Sequence, residues 1–344
     1  MKIGVLEWNV ASLGGRQREM LAFADWWTLA GHDVTLYSNW LETPTATYGP
    51  DTFQDRTSYL GAVKFAGQRE VKVAWLPLER HLTRPFPEWK GLDVLFCSYG
   101  SWGHLQKLMP KTKVITWVLH PDQARPDPTV PIWTPTRTCR TRLMESTNWA
   151  GSDPLVIPPP HDFSLFRRAC RPWAERELDV LVVGTLLDSK RLVPAARMLK
   201  DLGLKSLIVG MSCAALKDEN ERVLAELLAL GADVVENATS VVVAKLMGNT
   251  KIYLSLSEHE CASVCIYEAL NAGMWPIVRV AGSAIEQLSD GEYGSPTTCD
   301  EGVASILRHA LGARGLIVNC DRQRRRGLTF DRLEIGGQSL EALR

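Results

Sequence analysis

Two acidic residues, Glu260 and Glu268, stand eight positions apart in the run SEHECASVCIYEALNAGMWPIV. That run follows KIYLSL, whose apolar and β-branched residues read as a strand. Glu260 is therefore expected in the loop after the strand, and Glu268 about one turn into the next helix. A helix start carries unpaired amides and the positive end of the helix dipole, which suits a diphosphate. Carboxylates beside it can accept hydrogen bonds from sugar-like hydroxyls. On spacing alone the same pair also fits an ordinary surface-loop acid and an acid in a helix's first turns. A second cluster is VVGTLLDSKR, where Gly184 ends a strand and Lys190 lies six residues on, with Arg191 beside it. In isolation Lys190 would be a solvated surface lysine. Third, His120 closes KVITWVLH at the carboxyl end of a strand. Fourth, Gly14 and Gly15 in NVASLGGRQREML join the first strand to the first helix. Paired glycines permit positive φ and close backbone approach to a ligand. Arg16 in that helix's first turn opposes the dipole, which favours an anion-facing task for it.

The elements that must position these residues alternate along the chain. Strand-like runs are Lys2–Leu6, Val34–Tyr37, Leu92–Cys97 and Lys113–Leu119, with a helical period over Arg16–Ala30. After Pro158-Pro159-Pro160 the pattern restarts with strands at Asp179–Val183, Ser206–Val209, Asp233–Glu236, Ile252–Ser255 and Trp275–Val280. Helix-like runs lie between them, at Leu192–Leu202, Glu219–Leu230, Val241–Met247 and Ser263–Ala272. Alternation with nearly continuous apolar strands predicts an α/β fold of parallel sheets covered on both faces. Two such series predict two doubly wound domains hinged near residues 158–160. Ligands of such sheets bind at the carboxyl ends of the strands, where all four clusters fall. Neither G-x-G-x-x-G nor GK[ST] occurs, which argues against a standard dinucleotide enzyme and a P-loop NTPase.

With 344 residues, 45% of them apolar, the chain is long enough for two domains with real cores. Lys plus Arg number 39 and Asp plus Glu 39, so no net charge draws the protein to a polyanion. The eight Cys residues lack zinc spacing and read as buried free thiols of a reducing, cytoplasmic setting. Met1–Trp8 is too short and too acidic for a signal peptide, and no apolar run approaches a membrane span.

The E-x7-E run resembles the signature of the retaining GT-B glycosyltransferases, glycosyltransferase family 4. Gly273-Met274-Trp275-Pro276 resembles that family's G-x-P turn, and Ala281-Gly282-Ser283-Ala284-Ile285-Glu286 its G-G-x-x-E segment. VIPPPHDFSLFR resembles its I-P-N-G-V-D-x-x-x-F linker at Ile157, Pro158, Asp162 and Phe166, with Pro159-Pro160 replacing Asn-Gly. The likeness spans nearly the whole chain and is weakest between residues 40 and 90. It implies a GT-B fold: two Rossmann-like domains facing a central cleft. Residues 1–160 would bind the acceptor and 161–318 the nucleotide sugar, while 319–344 would return to the first domain. Glu268 would hold the ribose hydroxyls and Glu260 the hydroxyls of the transferred sugar. Cys261, Ala262, Ser263 and Val264 would offer backbone amides to the phosphates. His120 would contact the donor sugar, and Gly14, Gly15 and Arg16 would approach it from the first domain. Gly184, Thr185, Lys190 and Arg191 align with the family's G-R-L-x-x-x-K-G motif. Lys190 matches, but Thr185 stands where the family has Arg, and Arg191 where it has Gly.

The implied chemistry is metal-independent transfer from a nucleoside-diphosphate sugar, a co-substrate and not a bound cofactor. No D-x-D occurs in the chain. Ten of the twelve Trp lie before residue 160, and Trp40 and Trp102 are candidates to line an acceptor site. A glycan or small-molecule acceptor is favoured; nucleic acid enters only as an acceptor, through a modified DNA base. The rival readings are a non-catalytic binding protein of the same fold, favoured by Thr185, and a Rossmann oxidoreductase, disfavoured by the missing glycine fingerprint.

Overall fold

Runs such as KIGVL and VLFCS keep apolar side chains on both faces, and in the computed structural model of the chain they form the middle of a parallel sheet. The structure describes residues 1–7, 15–39, 72–76, 85–98, 102–119, 127–146, 149–212, 216–289, 291–312, 323 and 332–343. Two units emerge: Met1–Asp162 with Phe330–Arg344, and Phe163–Thr329.

The first unit runs β1 (Lys2–Leu6), α1 (Gly15–Leu29), β2 (Asp33–Asn39), β3 (Lys72–Leu76), β4 (Val94–Ser98), α2 (Gly103–Leu108), β5 (Lys113–Trp117), β6 (Ile132–Thr134), α3 (Arg137–Ser146) and β7 (Leu155–Val156). Its strands pair in parallel in the order β3-β2-β1-β4-β5-β6-β7. The second unit runs α4 (Ser164–Ala169), β8 (Leu178–Thr185), α5 (Leu192–Asp201), β9 (Ser206–Met211), α6 (Lys217–Ala229), β10 (Val234–Glu236), α7 (Ser240–Gly248), β11 (Thr250–Ser255), α8 (Val264–Asn271), β12 (Trp275–Arg279), α9 (Ala284–Gln287), β13 (Ser295–Thr297) and α10 (Val303–Gly312). Its sheet is also parallel, in the order β10-β9-β8-β11-β12-β13. Helix α11 (Arg332–Leu343) closes the chain and belongs to the first unit. Both sheets carry the doubly wound order in which the third, second and first strands run one way and the fourth onward run the other. The expected α/β class and parallel sheets are therefore present.

Four strands lay outside the sequence reading: β3, β6, β7 and β13. Three of them have only two or three residues, too few to display any period.

The first core is built on aromatic side chains. Phe23 of α1 meets the rings of Trp27, Phe96, Trp117 and Trp133 at centroid separations of 5.0 to 6.1 Å. Two indoles obtain polar partners inside: Trp117 Nε1 donates to Glu19 Oε2 at 3.0 Å, and Trp27 Nε1 to Ser339 Oγ of α11 at 3.3 Å. Lys113 Nζ donates to the Ala342 carbonyl at 3.1 Å, a second tie between α11 and this sheet. The second core packs Val180, Val182, Ile252, Leu254 and Ile277 of the sheet against Leu199 and Leu227. Buried Arg176 fastens its lower end, donating to the carbonyls of Arg171, Thr250 and Ala272 at 3.0, 2.7 and 2.8 Å. Ala272 caps α8, so the far end of that helix is anchored. Gly273, at φ 69°, then turns the chain, with Met274 N bonded back to the Ala269 carbonyl at 2.9 Å.

Of the six described cysteines, Cys97, Cys139 and Cys261 are buried as expected, while Cys299 is exposed. Among the described residues no helix is long and apolar enough to cross a membrane.

His161 follows the triple proline and is buried in the first unit. Burial, and secondarily the charge of Arg18, lower its pKa from 6.5 to about 3. The folded chain therefore holds it neutral, whereas the unfolded chain protonates it near 6.5. Its contribution is fully present above that pH and is lost as pH falls, by up to about 1.4 kcal/mol per unit. Between pH 7.5 and 5 the melting temperature of the wild type should fall more steeply than that of His161→Gln. Parallel slopes would refute the assignment.

Candidate functional site

In the second unit the strand order reverses between β8 and β11. A crevice forms outside the carboxyl ends of strands at such a reversal. The loops leaving those strands are residues 186–191 and 256–263, the two segments with the expected cation and the first expected acid.

The loops are fastened to one another. Lys190 Nζ lies 2.6 Å from Glu260 Oε1, with each side chain 23% exposed. The Glu258 amide donates to the Ser189 carbonyl at 2.9 Å, and Arg191 Nη1 pairs with Glu258 Oε1 at 2.9 Å. Gly184 lets the lysine stem lie close, since a Cβ there would meet Leu192 Cδ2 at 3.3 Å and Lys190 Cβ at 3.5 Å. Thr185 is the last residue of β8 and half-buried, and it brings no charge.

Arg191 adopts a left-handed conformation, φ 52°, between the turn Asp188–Lys190 and α5. Its guanidinium also pairs with Asp300, whose other oxygen takes Arg279 Nη1 at 3.3 Å. Burial works against the Arg191 charge, but Asp300 and Glu258 outweigh it and its pKa is raised. Lys190, Arg191 and Arg279 thus face Glu258, Glu260 and Asp300, a network of three cations and three anions.

Glu268 sits in α8 and is buried, 2% exposed. The loop before that helix is held from the side of β12. Both the amide of Ser283, at 2.7 Å, and its hydroxyl donate to the Cys261 carbonyl. Gln287 grips Ser263 by both backbone groups: Ser263 N donates to Oε1 at 3.2 Å, and Nε2 donates to the Ser263 carbonyl at 2.9 Å. Beneath lies Tyr253, whose phenol is pushed well above its usual pKa by burial, with Cys265 and Glu260 adding to the effect. Among the described residues the amides of Ala262 and Val264 carry no hydrogen bond. The expected amide donors thus include two that are open and one, Ser263, already engaged by Gln287.

Lys190, Arg191, Gly184, Thr185, Glu260, Cys261, Ala262, Ser263, Val264 and Glu268 all lie at this end of the second sheet or in α8. Gly15 and Arg16 open α1 after β1. Gly14, His120 and Trp40 lie outside the described residues. Trp102 packs beside the cluster of Leu105 and Met109, and Trp117 is core. Glu258, Arg279, Asp300 and Gln287 are absent from the sequence expectations, and Ser283 enters them only within the segment Ala281–Glu286. The signal for the two arginine partners was faint: Asp300 is 109 residues from Arg191. Gln287 was one position past the acid of the segment Ala281–Glu286, which drew attention to Glu286 instead.

No protein-family model matches the chain, and no curated protein matches it in sequence. Solved structures do match in three dimensions over the full length. A glycosyltransferase from Rickettsia africae aligns at TM-score 0.73 and 14% identity, covering 99% of this chain and 97% of that one. HepE of Anabaena, solved with UDP, aligns at 0.73 and 15%, covering 100% and 99%. Sucrose-phosphate synthase of Thermosynechococcus elongatus aligns at 0.71 and 12%, covering 99% and 98%. At these identities the likeness is one of fold: the chain has the GT-B fold, built of two Rossmann-like α/β domains.

Proposed function

We propose that the chain is a retaining, metal-independent glycosyltransferase of the family 4 type, which moves a sugar from a nucleoside-diphosphate donor to a glycan or small-molecule acceptor. The observation that carries this reading is the meeting of Lys190 and Glu260 at the switch point of the second sheet, with Glu268 in the helix that follows. A diphosphate at the start of α8 would exchange Glu260 for its own oxygens on Lys190 and free Glu260 for sugar hydroxyls. Glu268, buried nearer the middle of that helix, is assigned to the ribose. The HepE structures with UDP and with UDP-glucose lend support to a uridine donor as the first to try.

The leaving diphosphate gains charge as the glycosidic bond breaks, and Lys190 stabilises it where it forms. In front-face transfer the acceptor oxygen bonds to the anomeric carbon on the side the diphosphate leaves. The departing phosphate oxygen takes the acceptor proton. No nucleophilic carboxylate is invoked. A product with the anomeric configuration opposite to the donor's would overturn retention.

One feature favours the alternative of a non-catalytic binder of the same fold. Thr185 brings no cation, and Arg191 is already shared by Glu258 and Asp300. A thermal-shift titration with UDP, GDP, ADP, CDP and TDP, and their sugar conjugates, tests the donor site. A native-state ligand at a hundredfold excess over Kd adds about 2.7 kcal/mol. One nucleotide family should stabilise the wild type and fail with Glu268→Ala. No shift with any nucleotide would overturn the donor reading. A shift without sugar transfer or donor hydrolysis would favour the binder.

A further inference from the structure

The helix start that would receive the diphosphate is not held by its own residues. Ser263 is the N-cap of α8, yet its side chain makes no capping bond to the helix. The usual source of order at a helix start is therefore missing. The Ser263 side chain instead bonds with the buried Tyr253 phenol, and its backbone is held from 24 residues away: Gln287, 1% exposed at the end of α9, makes two hydrogen bonds to the Ser263 backbone. A primary amide is suited to this grip, because it offers one acceptor and one donor side by side, matching one backbone N–H and C=O. The neighbouring turn adds a second brace, with Ser283 bonded twice to the Cys261 carbonyl.

Resting on the donor-site reading above, we infer that Gln287 is a positioning residue: it sets the Ser263 peptide so that the flanking Ala262 and Val264 amides and the Glu260 side chain are presented together to the donor diphosphate and sugar. Three features of the structure support this. The Ser263 amide is consumed by the grip, so the grip cannot be a phosphate contact itself. Both flanking amides stay open among the described residues. The other half of the loop, at Glu260, is tied separately to Lys190. Gln287 thus acts through another residue, and its effect falls on donor geometry and not on the chemistry of proton transfer.

The test compares wild type with Gln287→Met, which keeps the volume and loses both bonds, and Gln287→Glu, which keeps the acceptor and loses the donor when ionised. Hydrogen exchange of the ligand-free proteins is read over residues 261–266. Affinity is read with the nucleoside diphosphate that stabilises the wild type most among UDP, GDP, ADP, CDP and TDP. Gln287→Met should exchange faster in that segment alone and bind the diphosphate about tenfold more weakly. With the corresponding sugar donor, KM should rise by a similar factor. Gln287→Glu should recover toward wild-type affinity as pH is lowered and its carboxyl gains the missing proton, which a purely structural defect would not do. Unchanged exchange, or faster exchange with unchanged affinity and KM, would overturn the positioning role and leave the donor reading standing. A wild type that answers to none of the five diphosphates would overturn the donor reading itself.

Discussion

Lys190→Ala should lower kcat/KM for the sugar donor by about 10²–10³-fold, the loss typical of removing one group that stabilises a developing anion. Its effect on folding should be small. The Lys190–Glu260 pair is partly solvated, 23% exposed on each side, and such pairs contribute on the order of 1 kcal/mol or less. The ratio of the two effects is the informative quantity. A residue that merely laces two loops would lose stability and activity together, whereas a leaving-group cation loses activity alone. Glu260→Ala supplies the complementary half. In the ligand-free chain it takes the ion pair from Lys190 and leaves it the His259 carbonyl at 3.4 Å, and in the reaction it removes contacts to the transferred sugar. The double variant should be far less damaged than the product of the two single losses, because both residues serve one transition state. Steady-state kinetics beside thermal denaturation reads all three. A loss of only a few-fold in Lys190→Ala would remove Lys190 from the reaction. Arg191 and Arg279 would then be left as the cations to examine, since both stand in the same charge network.

What the sequence disclosed and what it concealed divide along physical lines. The strands β1, β8, β11 and β12 announce themselves because sheets covered on both faces demand apolar side chains at nearly every position. Helix α8 is legible from its apolar faces and from the glycine that ends it. The sequence alone therefore places Glu260 in a loop and Glu268 in a helix. Lys190 and Glu260 are both candidates in the sequence, but their pairing is not legible there: they stand 70 residues apart, and nothing local links them. The same holds for Asp300 with Arg191 and Arg279. Charge pairing across strand ends is a property of sheet order, which no short window contains. The edge strands β7 and β13 escaped for a simpler reason, having two and three residues. Gln287 was hidden differently, because a buried amide in an α-helical turn of four residues resembles any polar surface residue until its partners are seen.

Gly282→Ala should impair donor turnover by about a hundredfold, the penalty for displacing a reacting geometry by roughly an ångström. Two causes act at this position. The backbone stands at φ 56°, where an L-residue other than glycine costs about 1–2 kcal/mol. Beyond that strain, an added Cβ would collide with the carbonyl of Glu260 and lie 2.7 Å from that of Cys261. Those atoms are backbone, so no side chain can swing aside, and the loop carrying Glu260 must itself move. Two glycines of the same unit separate the causes. Gly231 shares the positive φ, at 70°, with nothing within 4 Å of an added Cβ; Gly302 has neither positive φ nor a neighbour. Gly231→Ala should therefore lose stability without losing turnover, and Gly302→Ala should lose neither. If Gly282→Ala proves no worse in turnover than Gly231→Ala, the strain alone accounts for it. The close approach of this turn to Glu260 would then have no part in setting the site. If turnover falls only in Gly282→Ala, the 281–287 segment is the template on which the first acid of the pair is set. Helix α8 would then present Glu268 from one side while the glycine turn sets Glu260 from the other.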